Sequence, residues 1–183
     1  MSDNVMTPKF RVSFPNVFRP QINKMNPGAE PKYTLTMLFE KDADLSALKK
    51  AAGDAVIEKW GADKTKWPKN LRNPFRDQGD KEFEGYEPGA IFITATSKQR
   101  PGLVDQKLQD IIEEKDFYPG CYARATVRAF TYDNNGNRGV SFGLQNIQKL
   151  ADGEPLGGRT RPSDDFEPVG DAAGASGGTG IFD

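Results

Sequence analysis

The sequence contains no histidine. That removes the commonest general base and the commonest transition-metal ligand together. It has one cysteine, Cys121, which excludes an internal disulfide and leaves a structural zinc site almost without ligands. No apolar run approaches the roughly 20 residues that a spanning helix needs, so no membrane contact is expected. Met1 to Phe10 lacks the charged-then-apolar plan of a secretory signal, and a reducing cytoplasm is the expected compartment. Neither class of phosphate-cradling glycine loop is present, and Gly136-Asn137-Arg138-Gly139 reads as a turn. There is no nucleophile elbow, and no cofactor is expected.

Net charge is also nearly absent, at −1, but its distribution is uneven. Residues 164–183 carry Asp164, Asp165, Glu167, Asp171 and Asp183 and no basic side chain. Taking those five acids from the 26 leaves 21 against 25 basic residues on the first 163, a balance of +4. A mildly basic body is joined to an acidic tail.

What the chain does have is alternation. From Cys121 to Tyr132 one face holds Cys121, Ala123, Ala125, Val127 and Ala129, all small and apolar. The other holds Tyr122, Arg124, Thr126, Arg128, Phe130 and Tyr132. A strand packing small residues inward and showing arginines and rings outward suits a nucleic-acid surface, because arginine pairs with phosphates and rings stack on unpaired bases. The same pattern suits a strand between two cores whose arginines sit in ordinary ion pairs.

Strand periodicity recurs in Lys9–Phe14, with Phe10, Val12 and Phe14 on one face, in Tyr33–Phe39, in Ile91–Thr96 and in Val140–Leu150. Pro15 to Pro31 reads as loop. Asp44 to Trp60 is the one main helix, with Asp44 as its cap and Gly61 as its stop. Residues 61–89 read as a long surface excursion, of the kind that is functional or ordered by its own side chains. Leu103 to Glu114 fits either a short helix or a strand and turn. Asp133–Asn137 is a hairpin turn. From Asp152 onward Gly, Ala, Ser, Asp and Pro dominate, too polar to offset ordering. The fold class expected is mainly β, a small barrel of the OB type with one helix and a disordered acidic tail, and a sandwich is the runner-up. The boundaries expected are 1–161 for the body and 162–183 for the tail.

The candidate nucleic-acid residues are Lys9 and Arg11 on the first strand, Lys98 and Arg100 after the third, and Tyr122, Arg124, Arg128, Phe130 and Tyr132. Lys64, Lys66, Lys69, Arg72 and Arg76 crowd one loop with Trp67 and Phe75, and Trp67 reads as satellite core. Asp105, Asp110, Glu113, Glu114 and Asp116 have the chemistry of a two-metal nuclease site, although a solvated face is the plainer reading. Ile181 and Phe182 put apolar residues back at the end of the tail, which suggests self-masking of a basic groove or docking to partners.

Pro68-Lys69-Asn70-Leu71, Pro101-Gly102-Leu103-Val104-Asp105, Gly120-Cys121-Tyr122-Ala123-Arg124 and above all Gly143–Leu150 with Asp152–Arg159 resemble a family of bacteriophage and prophage single-stranded DNA-binding proteins with an OB fold, that of Enterobacter phage among them. The resemblance runs from about Lys9 to Arg161. It implies a non-enzymatic protein that coats single-stranded DNA in phage replication and recombination, in the cytoplasm of a bacterial host. It implies no exact DNA contacts. The tail is similar in plan to other phage and bacterial single-strand binders but has few acids and ends Phe182-Asp183. The alternatives are a metal-dependent phage nuclease and a recombination accessory protein that works through protein contacts.

Overall fold

Period-two alternation builds most of the molecule. The computed structural model describes residues 4–22, 28–81, 83–134, 136–156 and 168–169, and within them eight strands form one sheet. They are β1 (Val5–Met6), β2 (Phe10–Gln21), β3 (Lys32–Leu38), β4 (Arg76–Asp77), β5 (Ile91–Ser97), β6 (Gly102–Val104), β7 (Tyr122–Asn134) and β8 (Asn137–Ala151). The α-helix is α1 (Ser46–Trp60).

Strand order β7-β2-β3-β5-β8 returns to β7 through the β7–β8 pairing, so these five strands close into a barrel. The connectivity is that of an OB barrel, in which β3 and β5 are the second and third barrel strands. Two seams are narrow. β5 meets β8 in parallel only at Ala95↔Phe142 and Thr96↔Gly143. β2 meets β7 only at Phe10↔Ala123 and Arg11↔Tyr122.

Alternation fills the interior. On β7, Ala123, Ala125, Val127 and Ala129 are buried while Arg124, Arg128 and Phe130 are exposed, as expected of that strand. Large residues from the facing strands complete the core, among them Phe10, Leu35, Met37, Ile93 and Phe142. Leu48, Ala51, Ala52, Ala55 and Val56 of α1 join the same cluster. On β8 both Leu144 and Ile147 point inward, because a register shift opposite Thr126 and Val127 leaves Gln145 as an extra residue.

Several details differ from the sequence expectation. The helix starts at Ser46, and Asp44 accepts the Ser46 N–H at 3.0 Å from outside it, with Leu45 at the N-cap. β2 does not end at Pro15 but runs to Gln21, with register shifts after Ser13 and after Asn16. Proline is tolerated there because bulged residues make no ladder bond. Phe14 does not join Phe10 and Val12 inside. Ser13, still in register with Thr36, is buried with its hydroxyl 2.8 Å from that of Tyr86, and Phe14 opens the bulge and is 51% exposed, with φ at 43°. That conformation costs a non-glycine residue roughly 1–2 kcal/mol. Leu103–Glu114 resolves as strand and turn, with β6 followed by a Val104↔Asp110 bridge.

The 61–89 excursion is ordered by its own polar groups. Asp63 caps a 3-10 turn at Lys64–Lys66, and Asp77 caps another at Gln78–Asp80. Buried Gln78 donates to the carbonyls of Phe39 and Ile91 at 2.9 and 2.8 Å and accepts from Glu87 N–H at 2.8 Å. Trp67 and Phe75 pack against the core, as satellite core residues should. The tail residues Asp164, Asp165, Glu167, Asp171, Phe182 and Asp183 lie outside the described residues.

After β8 the chain is pinned. Arg11 donates to the Gly120 carbonyl at 3.2 Å and to the Glu154 carbonyl at 2.7 Å. Leu156 N–H donates to Pro119 O at 2.9 Å. Gly120 sits at φ 111°, and a Cβ there would strike the Glu154 carbonyl oxygen. Gly120→Ala is therefore expected to cost about 3 kcal/mol or more, from the strained φ and the clash together, read as a lower urea midpoint at unchanged m-value.

Candidate nucleic-acid interface

The inward residues of β3, β5 and β8 fix what faces outward. With Leu35, Met37, Ile93, Ala95 and Phe142 in the core, the other face presents Thr34, Thr94, Thr96, Ser141 and Gly143, with Thr36 on the same face but buried. The register lines them up across the barrel. Thr36 stands opposite Thr94 with their hydroxyls 3.2 Å apart, and Thr34 stands opposite Thr96. Thr96 pairs with Gly143, Gly143 with Arg128, and Ser141 with Phe130. The result is a floor of short hydroxyl-bearing residues with cations and rings along its β7 side.

Three rings or cations of that border are held by small neighbours. The Phe130 ring, 40% exposed, lies beside Gly143, where a Cβ would come within 3.9 Å of it. The Tyr132 hydroxyl leans across Gly139, where a Cβ would stand 2.7 Å from it. Arg72 bridges to Gly139 from the excursion, and Arg72 N–H donates to Arg138 O at 2.9 Å. Arg72 and Arg76 line one open hollow with Thr94, Tyr132 and Ser141. The Arg76 guanidinium sits 5.2 Å over the Phe92 ring. In OB barrels the face of the second and third strands, with the loops between strands 1–2 and 4–5, takes oligonucleotides and oligosaccharides. Here that face is the threonine floor, and the 4–5 loop is the β7–β8 hairpin.

The profile of a family described as "Enterobacter phage Enc34, ssDNA-binding protein" matches residues 3–176. The chain belongs to that family. Its match extends past the expected boundary at 161 into the acidic segment. Among its relatives, protein p50 of Acyrthosiphon pisum secondary endosymbiont phage 1 is 33% identical over 169 residues, 87% of this chain and 90% of p50. The single-stranded DNA-binding protein from bacteriophage Enc34 superposes with a TM-score of 0.64 at 25% identity, over 90% of each chain. The same Enc34 protein in complex with ssDNA superposes at 0.66, with 24% identity over 84% of this chain and 89% of that one. Gp2.5, a single-stranded DNA-binding protein encoded by bacteriophage T7, shares the fold at 0.59 with 14% identity, over 95% of this chain and 100% of that one.

In this member of the Enc34 family the nine body residues singled out from sequence do not form one cluster. The five on β7 alone run from Tyr122 to Tyr132, about 33 Å along the strand. Arg128, Phe130 and Tyr132 lie at the floor. Arg124 is on the same outer face but donates to Gln148 Oε1 at 2.8 Å. Lys9 sits 5.2 Å over the Tyr122 ring and 3.8 Å from Glu40. Arg11 spends its guanidinium on two backbone carbonyls. Lys98 pairs with Glu30 at 3.6 Å, and Arg100 lies 5.8 Å over Phe18, both beside the loop between β2 and β3. The sequence reasoning passed over Thr34, Thr36, Thr94, Thr96 and Ser141, and it left Arg72 and Arg76 among loop lysines. The threonines carry no charge or ring to mark them, but they alternate with core residues of strands whose inner halves were legible.

Cys121 is fully buried, and burial pushes its thiol up, so it acts as a small core residue. Asp105 accepts from the N–H groups of Lys107 and Gln109 at 2.8 and 3.0 Å, closing a turn. Among the described residues no three side chains of the His, Cys, Asp or Glu kind assemble to hold a metal ion.

The basic residues thus divide into structural and exposed. Arg11→Ala should lower the melting temperature by several degrees, because two carbonyls lose a charged donor. Arg128→Ala should leave melting unchanged and flatten the log–log salt dependence of single-strand binding by about 0.7, one phosphate contact. Calorimetry and anisotropy titrations at several salt concentrations check the pair.

Proposed function

We propose that this protein coats single-stranded DNA, without sequence preference and without a reaction of its own, across the outer face of β3, β5 and β8. The observation that carries the reading is the floor from Thr34, Thr94 and Thr96 to Ser141, bordered by Arg72, Arg76, Arg128, Phe130 and Tyr132. Its parts match the demands of an unpaired strand. Guanidinium groups take phosphates, rings take base faces, and short hydroxyls let a sugar–phosphate chain lie close while offering tolerant hydrogen bonds. Membership of a family of phage single-stranded DNA-binding proteins supports the same ligand and a setting in phage replication and recombination, inside a bacterial host.

We assign the acidic tail a masking role on that interface, with partner docking through Phe182 as its second use. Leu156 packs its side chain against Gly85, next to Tyr86, whose hydroxyl is 2.8 Å from Ser13 on β2. The first tail acid, Asp164, is eight residues further on, and eight residues span up to about 28 Å. The first tail acid is therefore joined to Leu156 by a segment long enough to reach the face it would compete for. A tethered anion reaches roughly millimolar effective concentration there.

Two outcomes are expected. Labelled single-stranded oligonucleotide should bind more tightly than duplex, with a log–log salt slope near −3 if about four phosphates are neutralised. A flat salt dependence, or equal affinity for both forms, overturns the reading. Deleting residues 164–183 should tighten binding several-fold at low salt, with the gain shrinking as salt rises and screening shortens the tail's reach. An unchanged affinity at low salt removes the masking role.

A further inference from the structure

Phe14 and Phe83 are the rings that the barrel does not need. β2 alternation would bury Phe14 beside Val12, yet the bulge after Ser13 turns it outward at φ 43° and leaves it 51% exposed. Its ring stands 5.1 Å from that of Phe83 at 72°, and Phe83 is itself 49% exposed. Half of each ring remains in solvent. Strained backbone that holds an apolar ring in water has no value for folding, and such outliers gather at ligand sites.

What lies around the pair says which ligand. Phe83 packs on Tyr86 at 5.4 Å, and Tyr86 packs on Phe92 at 5.9 Å. Tyr86 is fastened to Ser13, which pairs with Thr36. Asn16, just past Phe14, donates to the Thr34 hydroxyl at 3.1 Å. The ring row therefore stands at the β2 border of the threonine floor, across from Phe130 and Tyr132. Arg76 lies over Phe92 at the far end of the row, so a cation closes it.

We infer that Phe14 and Phe83 form a second base-stacking platform, taking the unpaired bases of a strand whose backbone crosses the threonine floor. This rests on the single-strand reading above. A platform on each border lets the backbone run along hydroxyls and arginines while successive bases turn to either side. Duplex DNA offers no free base faces, so this platform adds affinity for single strands alone.

The test uses the full chain and a labelled oligo-dT. Phe14→Leu and Phe83→Leu keep apolar bulk but remove the π face. Each should weaken binding by about 5- to 150-fold, with an unchanged salt slope because no phosphate contact is lost. Phe83→Trp adds a third indole to Trp60 and Trp67, and the emission it adds over wild type should be quenched as oligo-dT saturates the protein. Wild-type affinity in both folded leucine variants overturns the platform, as does unquenched Trp emission at saturation. If a leucine variant fails to fold, the quenching result decides. Failure of the wild-type protein to bind oligo-dT would instead overturn the single-strand reading itself. Binding losses confined to a protein ligand, with oligo-dT affinity intact, would mark the rings as a protein-docking patch and end the proposal.

Discussion

β7 can close the barrel because its inner face carries nothing larger than valine. Ala123, Ala125, Val127 and Ala129 leave room for Phe10, Phe142 and Met37 to fill the interior and for the alanines of α1 to share the same core. β7 is paired along its whole length by β8 and along its first half by β1 and β2. A larger residue at any of the four inner positions would push on strands held at both edges. The cost would fall first on the two-pair seams at β2–β7 and β5–β8, which have little ladder to lose.

The same alternation commits the outer face. Once Leu35, Met37, Ile93 and Ala95 are inside, the middle of β3 and β5 turns threonines outward, with Leu38 and Phe92 covered at one end of the same face. The floor is thus a by-product of core packing, and its charged and aromatic groups come from what borders it. On one side the border is carried by β7 itself. On the other it is carried by the excursion, anchored through Gln78 to the backbone of Phe39 and Ile91. A buried amide with all its partners present is a rigid anchor, and removing one partner would strand the others.

Much of this was legible beforehand, for identifiable reasons. The two faces of β7, the hairpin at Asp133–Asn137 and the helix all rest on strict local periodicity, and the structure follows them. The fate of Phe14 was not legible, because a bulge inserts one residue and flips every side chain beyond it, and nothing in Phe10–Phe14 announces it. The role of Arg11 was hidden for a different reason. Its alternation places it correctly on the outer face, but its partners are carbonyls of Gly120 and Glu154, more than a hundred residues away. Arg72 and Arg76 were lost among lysines because composition does not tell which members of a basic loop are brought back to the barrel.

Charge separation along β8 completes the argument for how a chain of net charge −1 holds a polyanion. Arg72, Arg76 and Arg128 gather where β8 begins, near Ser141. Asp105, Asp110, Glu113, Asp116 and Asp152 surround a hollow at its other end, where β6 pairs with Asn146–Gln148 and Lys149 bonds Asp152 at 2.7 Å. Ser141 and Gln148 are about 23 Å apart along a strand. That is two to three Debye lengths at physiological salt, so the acids hardly weaken the field at the floor. At low salt the screening length grows and the acids are felt there. They would then oppose phosphates on a strand bound, as proposed, at the arginine end of β8, which tempers the gain in affinity expected from low salt.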